Sequence, residues 1–227
     1  MDDPNLESGR HIAALHGLAR LNWLSGSVRI VWASIAGLAR KLGNKRLRVL
    51  DVATGGGDVP LALWRKARRA GLNLDLCGVD ISERALRFAS SRAEACGAEI
   101  RFQAINALTE SLPAEYDVAM CSLFLHHLNE EQATTVLSRM RAAARRLVLV
   151  NDLRRSRTGL LLAQLATRLF TTSNVVHVDG PRSARAAFTV EEVQILAESA
   201  GMPDARIERR WPCRFLLQCP RTGGTED

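Results

Sequence analysis

Val49-Leu50-Asp51-Val52-Ala53-Thr54-Gly55-Gly56-Gly57-Asp58 is the stretch that decides the fold. It runs from apolar, β-branched residues through one acidic residue into three consecutive glycines. These residues favour a buried strand that ends in a tight turn and opens a helix. Glycine supplies the backbone freedom such a turn needs and lets a ligand approach the main chain. After the first strand of a doubly wound sheet, a turn of this kind lies at the crevice where ligands bind. Two familiar glycine loops do not fit. The dinucleotide pattern G-x-G-x-x-G fails because Pro60 stands three positions beyond Gly57, and the Gly-Lys-Ser/Thr ending of a phosphate-binding P-loop is absent.

Working toward the C-terminus, apolar runs at 46–53, 74–81, 99–105, 116–124 and 145–152 read as buried strands. Helical patterns separate most of them: one runs through Trp64 and Ala67 to Gly71, one follows Ser82 as N-cap to Cys96, and one spans about 130–144. Strands alternating with helices imply a mostly parallel sheet covered on both faces. Beyond Asp152, an apolar helix is expected over 158–170 and another over 188–201, with Thr189 as N-cap and Glu192 completing a capping box. Two strands, about 204–210 and 213–219, are joined through Trp211-Pro212.

Toward the N-terminus, two apolar stripes at helical spacing are separated by Ser25-Gly26-Ser27: Ile12, Leu15, Leu18 and Leu21, then Ile30, Val31, Ile35 and Leu38. The expected organisation is a helical lid over 1–45, an α/β domain over 46–219 with a substrate-loop insertion at about 153–187, and a disordered tail at 220–227.

Composition bounds the class. A chain of 227 residues that is 47% hydrophobic and 24% charged suits one globular domain with a modest extension. Five scattered cysteines without C-x-x-C spacing point to a reducing compartment. No apolar run reaches the roughly 18 residues of a membrane span, and the acidic start differs from a signal peptide, so a cytoplasmic location is expected. The formal charge of +7 raises the question of nucleic acid, but the basic residues are spread over many helices and only one tyrosine accompanies them.

Two further elements join the glycine turn. Asp80 ends the second strand, where a carboxylate can accept hydrogen bonds from two ribose hydroxyls. Asn106-Ala107 follows the third strand, where a polar side chain and a backbone amide can read an adenine edge. Together, in this order and spacing, these residues resemble the class I S-adenosylmethionine-dependent methyltransferases of small-molecule type, over about 46–219. The first stretch is similar to the family's V-L-D-[VIL]-x-x-G-x-G signature, with Gly55 and Gly57 in the glycine positions. The resemblance implies a Rossmann-like, mostly parallel seven-stranded sheet with an antiparallel C-terminal hairpin. It implies that Asp51, Thr54, Gly55 and Gly57 hold the methionine end of S-adenosyl-L-methionine. Asp80 and Ile81 would then hold the ribose side, Asn106 and Ala107 the adenine, and Ser122 would lie beside the cofactor. The family usually has aspartate where Asn106 stands; asparagine keeps the carbonyl acceptor.

Methyl transfer asks little covalent chemistry of a protein, since alignment supplies much of the acceleration. A hydroxyl acceptor gains from a base. The candidates are His126 and its neighbour His127 after the fourth strand, and His177 in the loop with Asp179, Arg182 and Arg185. No metal is expected: enzymes of the metal-dependent catechol type place an aspartate after the fourth strand and an Asp-Asn pair after the fifth, and here the residues are Cys121-Ser122 and Asn151-Asp152. Apolar helices flanking the crevice favour a small, largely apolar acceptor, with O-methylation of a phenolic, quinone or polyketide-like compound first and C-methylation of a quinone ring next. The alternatives are an RNA or DNA methyltransferase, or a non-catalytic cofactor-binding protein of the same fold. Neither nucleic acid nor a membrane span is expected as a partner, and a homodimer is compatible with the sequence.

Overall fold

In the computed structural model the described residues are 27–43, 45–156, 159 and 183–221. The strand β1 (Leu47–Val52) is followed by α2 (Asp58–Ala70), β2 (Leu74–Asp80), α3 (Glu83–Ala95), β3 (Ile100–Ala104) and β4 (Tyr116–Ser122). A single 3₁₀ turn, Leu125–His127, leads to α4 (Glu130–Ala143), β5 (Ala144–Leu153), α5 (Val190–Ser199), β6 (Arg206–Arg210) and β7 (Arg214–Pro220); α1 (Ser27–Lys41) precedes them all. Among the described residues the sheet has seven strands in the order β3-β2-β1-β4-β5-β7-β6. The first five are parallel, and β7 inserts antiparallel between β5 and β6. This is the expected doubly wound sheet with its antiparallel closing hairpin.

The helix ends follow the local chemistry. Ser82 accepts the Ala85 amide at 3.3 Å as N-cap of α3. Thr189 and Glu192 bond reciprocally at the start of α5, at 3.2 and 2.9 Å, as the capping-box pattern predicts. Gly71 closes α2 in the left-handed conformation, so its amide reaches back to carbonyls of the last turn.

Alternate strand residues divide into two cores. One face carries Leu50, Val52, Ala119, Cys121, Val148, Val150 and Leu217 under α4 and α5. The other carries Val49, Val118, Met120, Leu147, Leu149 and Leu216 under α1 and α2. Here α1 departs from the expected lid. Val31, Ile35, Ala36 and Ala39 are buried in this second core, and Ser34 Oγ donates to Gln218 Oε1 at 2.5 Å, so the helix is a layer of the sandwich. The boundary at residue 45 therefore divides one packed unit; residues 1–26, the remainder of the expected lid, lie outside the described residues.

The expected tail also begins too early. Pro220 completes β7, and Arg221 ties back to the sheet: its amide donates to Arg146 O at 2.8 Å and its guanidinium to Arg141 O and Ala144 O. The expected helix over 158–170 lies outside the described residues apart from Gly159. No helix among the described residues is long and apolar enough to cross a membrane.

Candidate active site

The C-terminal ends of β1, β2, β4 and β5 bring together most of the residues singled out by the sequence. β1 delivers Asp51 to the edge of the sheet, and the chain then turns with Ala53, Gly55 and Gly57 all at positive φ. Gly57 sits at φ +72° as the N-cap of α2, and a Cβ there would lie 2.8 Å from the Ala89 Cβ of α3 and 3.1 Å from the Phe102 ring. Only glycine fits both the conformation and the space. At Gly55, φ +54°, a Cβ would meet no heavy atom within 4 Å, so the loop's outer side is open to a ligand.

Asp80 organises this turn. One carboxylate oxygen accepts the Gly55 amide at 2.8 Å and the other accepts the Ser82 amide at 2.9 Å, tying the first and second crossover loops together. Asp80 itself is half-buried, and Ile81 beside it is exposed, an apolar side chain at the mouth of the crevice. Thr54 donates from its amide to Val79 O and from its hydroxyl to Asp51 Oδ2 at 2.7 Å. Arg92 of α3 reaches over to the Gly56 carbonyl at 2.9 Å and to Asp58, bracing the loop from outside.

Asp51 is 3% exposed. Burial, opposed by the Thr54 hydroxyl bond, pushes its carboxyl up to about 7, and the Asp80 and Asp58 charges add to the rise. A cation placed against this carboxylate would relieve a desolvation cost already present in the fold.

After β3, Asn106 behaves as a cap. Its Oδ1 accepts the Leu108 amide at 2.9 Å, while Glu110 Oε1 accepts the Asn106 amide at 2.7 Å. A second lone pair on Oδ1 remains for an amino group. Ala107 is buried, and its carbonyl is held by Arg139 of α4 at 2.7 Å.

The fourth crossover carries the chemically most pointed contact. His126, 7% exposed, places Nδ1 2.6 Å from Asp152 Oδ1 at the end of β5. Asp152 also accepts the Phe124 amide at 2.9 Å and the Leu153 amide at 2.6 Å. Burial opposes its ionisation, but the His126 ring, the Leu153 amide and the charge of Arg214 outweigh it and hold the carboxyl below its usual range. An ionised carboxylate only accepts, so Nδ1 of His126 donates and Nε2 is left as the basic nitrogen. His127 is exposed and stacks on His126 with ring centroids 4.2 Å apart. His177, with Asp179 and Arg182, lies outside the described residues; Arg185 is exposed.

Sequence reasoning considered Asp152 only in the metal comparison; its role as partner of His126 needs β4 and β5 side by side. It also missed a polar row on the α1 face. Ser122 and Asn151 are register partners, and the Asn151 Nδ2 donates to Ser122 Oγ at 3.4 Å. Asn151 is fully buried and its Oδ1 has no hydrogen-bond partner among the described residues, a state that costs about 1–3 kcal/mol. One strand further, buried Arg214 donates to Ser27 Oγ at the start of α1 at 2.8 Å; burial lowers its guanidinium to about 10, opposed by Asp152. The available signal was two polar residues, Asn151-Asp152, directly after the apolar run Leu147–Val150. Among the described residues no three His, Cys, Asp or Glu side chains converge as a metal site.

Comparison with known proteins accords with this geometry. Residues 49–146 match the family model described as a methyltransferase domain. Over that stretch the chain is similar to methyltransferases. Over 135 residues it is 32% identical to a ubiquinone biosynthesis O-methyltransferase of Cupriavidus pinatubonensis, a match covering 58% of this chain and 45% of that protein. A shorter stretch of 55 residues is 42% identical to a ubiquinone/menaquinone biosynthesis C-methyltransferase of Rickettsia felis, covering 24% of this chain and 22% of that protein. The match thus spans less than half the length of either curated relative. The magnesium protoporphyrin IX methyltransferase of Synechocystis, solved with SAM bound, superposes with a TM-score of 0.62 at 17% identity, over 96% of this chain and 93% of its own. At that identity the likeness is one of fold: the described sheet and helices share the architecture of that enzyme.

Proposed function

We propose that this chain transfers a methyl group from S-adenosyl-L-methionine to an oxygen of a small, largely apolar acceptor of phenolic, quinone or polyketide-like type. The observation that carries this reading is the buried Asp152–His126 contact of 2.6 Å, between the end of β5 and the turn after β4, two strands and one strand from the β1 end that opens into the glycine turn. The residues of that turn fit the cofactor. Gly55 is open on its outer side, Asp51 is a buried carboxylate suited to an ammonium group, and Asp80 has a half-exposed carboxylate with lone pairs left for ribose hydroxyls. Asn106 and Ala107 would face the adenine, and Ile81 would pack against it. The cofactor supplies the methyl group already activated on a sulfonium.

The chain's own residues do three things. Asp51, Thr54, Gly55, Gly57 and Asp80 bind and orient the cofactor, which fixes the approach to the methyl group. Ser122, at the end of β4, borders the space between cofactor and acceptor. His126, its tautomer fixed by Asp152, takes the proton of the reacting hydroxyl at Nε2. His127 stacks on it, and His177 is the second candidate for the base. A small-molecule acceptor rather than nucleic acid is the partner, because many of the arginines are spent on ion pairs of the scaffold. A cytoplasmic location and a homodimer accompany this reading. The relatives include both O- and C-methyltransferases; the presence of an oriented imidazole favours oxygen.

The test is turnover on a phenolic acceptor panel. His126→Ala should cut turnover by about 10²–10⁴-fold with cofactor affinity within about twofold of wild type, and Asp152→Asn should reproduce most of that loss. Full activity of His126→Ala near neutral pH would show that catalysis is alignment alone.

A further inference from the structure

On the α1 face, the apolar columns of β1, β4, β5 and β7 each give way to a polar residue near the crevice, followed on β5 by Leu153. Val49 gives way to Asp51, Met120 to Ser122, Leu149 to Asn151, and Leu216 to Arg214. In sequence these positions are far apart; in the register they lie on neighbouring strands, with Ser122 opposite Asn151 and Asn151 opposite Leu216. The apolar core below is packed with aliphatic side chains from α1 and α2, so polar groups here are not needed to fill space.

One atom of this row has no partner among the described residues. The Asn151 side chain is fully buried, its amide nitrogen is bonded to Ser122 Oγ, and its carbonyl oxygen accepts nothing among the described residues. Buried carbonyl groups are almost always satisfied, so this oxygen is poised for a donor that the described residues do not supply. Its place narrows the donor. The glycine turn follows β1, and β4 separates β1 from β5, so Asn151 lies two strands, roughly 10 Å, from the turn. That distance puts it on the acceptor side rather than at the cofactor's amino-acid end. Asp152, the next residue, holds His126 on the opposite face of the same strand. A flat ring lying across the end of β5 would therefore meet His126 at one side and Asn151 at the other.

We propose that Asn151 Oδ1, with Ser122 Oγ beside it, is a specificity subsite that accepts a hydrogen bond from a second hydroxyl of the acceptor. This rests on the methyltransferase reading above and deepens it: the acceptor is a ring bearing two hydroxyls, one that loses its proton to His126 and one that donates to Asn151. A monohydroxylated ring leaves the carbonyl unsatisfied and binds less well, because a site built to hydrogen-bond a group discriminates against the analogue without it.

The experiment measures binding of phenol and the three dihydroxybenzenes to the full chain saturated with S-adenosylhomocysteine. At least one dihydroxybenzene should bind about tenfold or more tightly than phenol. Asn151→Leu should reduce that advantage to below about twofold while S-adenosylhomocysteine affinity stays within about twofold. Leucine matches the neighbouring Leu149 and Leu216, and removing an orphaned acceptor should raise the melting temperature, so this variant is expected to fold. Ser122→Ala, a half-buried conservative change, should give a smaller loss in the same direction. If no dihydroxybenzene exceeds phenol in the wild type, or if the advantage survives Asn151→Leu, the subsite is wrong. If Asn151→Leu instead weakens S-adenosylhomocysteine and leaves the ring preference intact, the carbonyl belongs to the cofactor and the proposal falls. Failure of S-adenosylhomocysteine to bind the wild type would overturn the underlying methyltransferase reading itself.

Discussion

Asp51 and Asp152 are both buried carboxylates at strand ends, yet their surroundings push them in opposite directions. Asp152 has an imidazole and backbone amides against it, and is held below its usual range. Asp51 has one hydroxyl and two neighbouring negative charges, and is pushed from 3.8 to about 7. The consequences for stability differ in sign. The folded state retains a proton on Asp51 after the unfolded chain has lost it. That contribution is whole below pH 3.8 and is lost as pH rises through about 7. Roughly three pKa units correspond to a span of up to about 4 kcal/mol. The cofactor-free protein should therefore unfold at lower urea at about pH 8 than at about pH 5, and Asp51→Asn should flatten most of that difference. An unchanged slope in Asp51→Asn would show that another group controls it. Asp152 acts in the other direction, stabilising above the unfolded value and losing that contribution only in acid. The sequence showed both aspartates and placed Asp51 in the site. It did not show that Asp152 answers His126, because that pairing joins positions 26 apart and exists only once β4 and β5 are neighbours.

Secondary elements were legible where the signal is local. Ser82, Thr189 and Glu192 act within one helical turn, and the apolar runs of β1, β2, β4 and β5 need no partner to be recognised. What α1 packs against was not legible. Its stripe of Val31, Ile35 and Leu38 shows that one face is buried but not whether a sheet, a cofactor or a substrate covers it. Packing on Leu149 and Leu216 makes α1 a structural layer, and that has a measurable consequence. Ile35 is fully buried there, so Ile35→Ala should cost about 2–5 kcal/mol of global stability, seen as a shift of the whole urea transition. A cover that opens and closes over the site would instead tolerate the change within about 0.5 kcal/mol.

At the scale of the molecule, the sheet separates two kinds of chemistry. Near the N-terminal ends of the strands, Asp75 takes Arg46 and Arg101, and Asp117 takes Arg146, so these three arginines serve the scaffold. At the opposite edge stand the glycine turn, Asp51, Asp80, Asn151 and the Asp152–His126 pair. Under the proposed function, this edge binds S-adenosyl-L-methionine through the glycine turn and Asp80. That binding is tested most directly by calorimetric titration of S-adenosylhomocysteine into the wild type and Asp80→Ala. Because Asp80 also accepts the Gly55 and Ser82 amides, the variant loses both the ribose contact and the brace of the turn. Saturable binding to the wild type is expected, with a loss of about 1.5–3 kcal/mol, roughly 10- to 150-fold, in a variant that still melts cooperatively. Equal affinity in the two proteins, or no binding to the wild type, would contradict it.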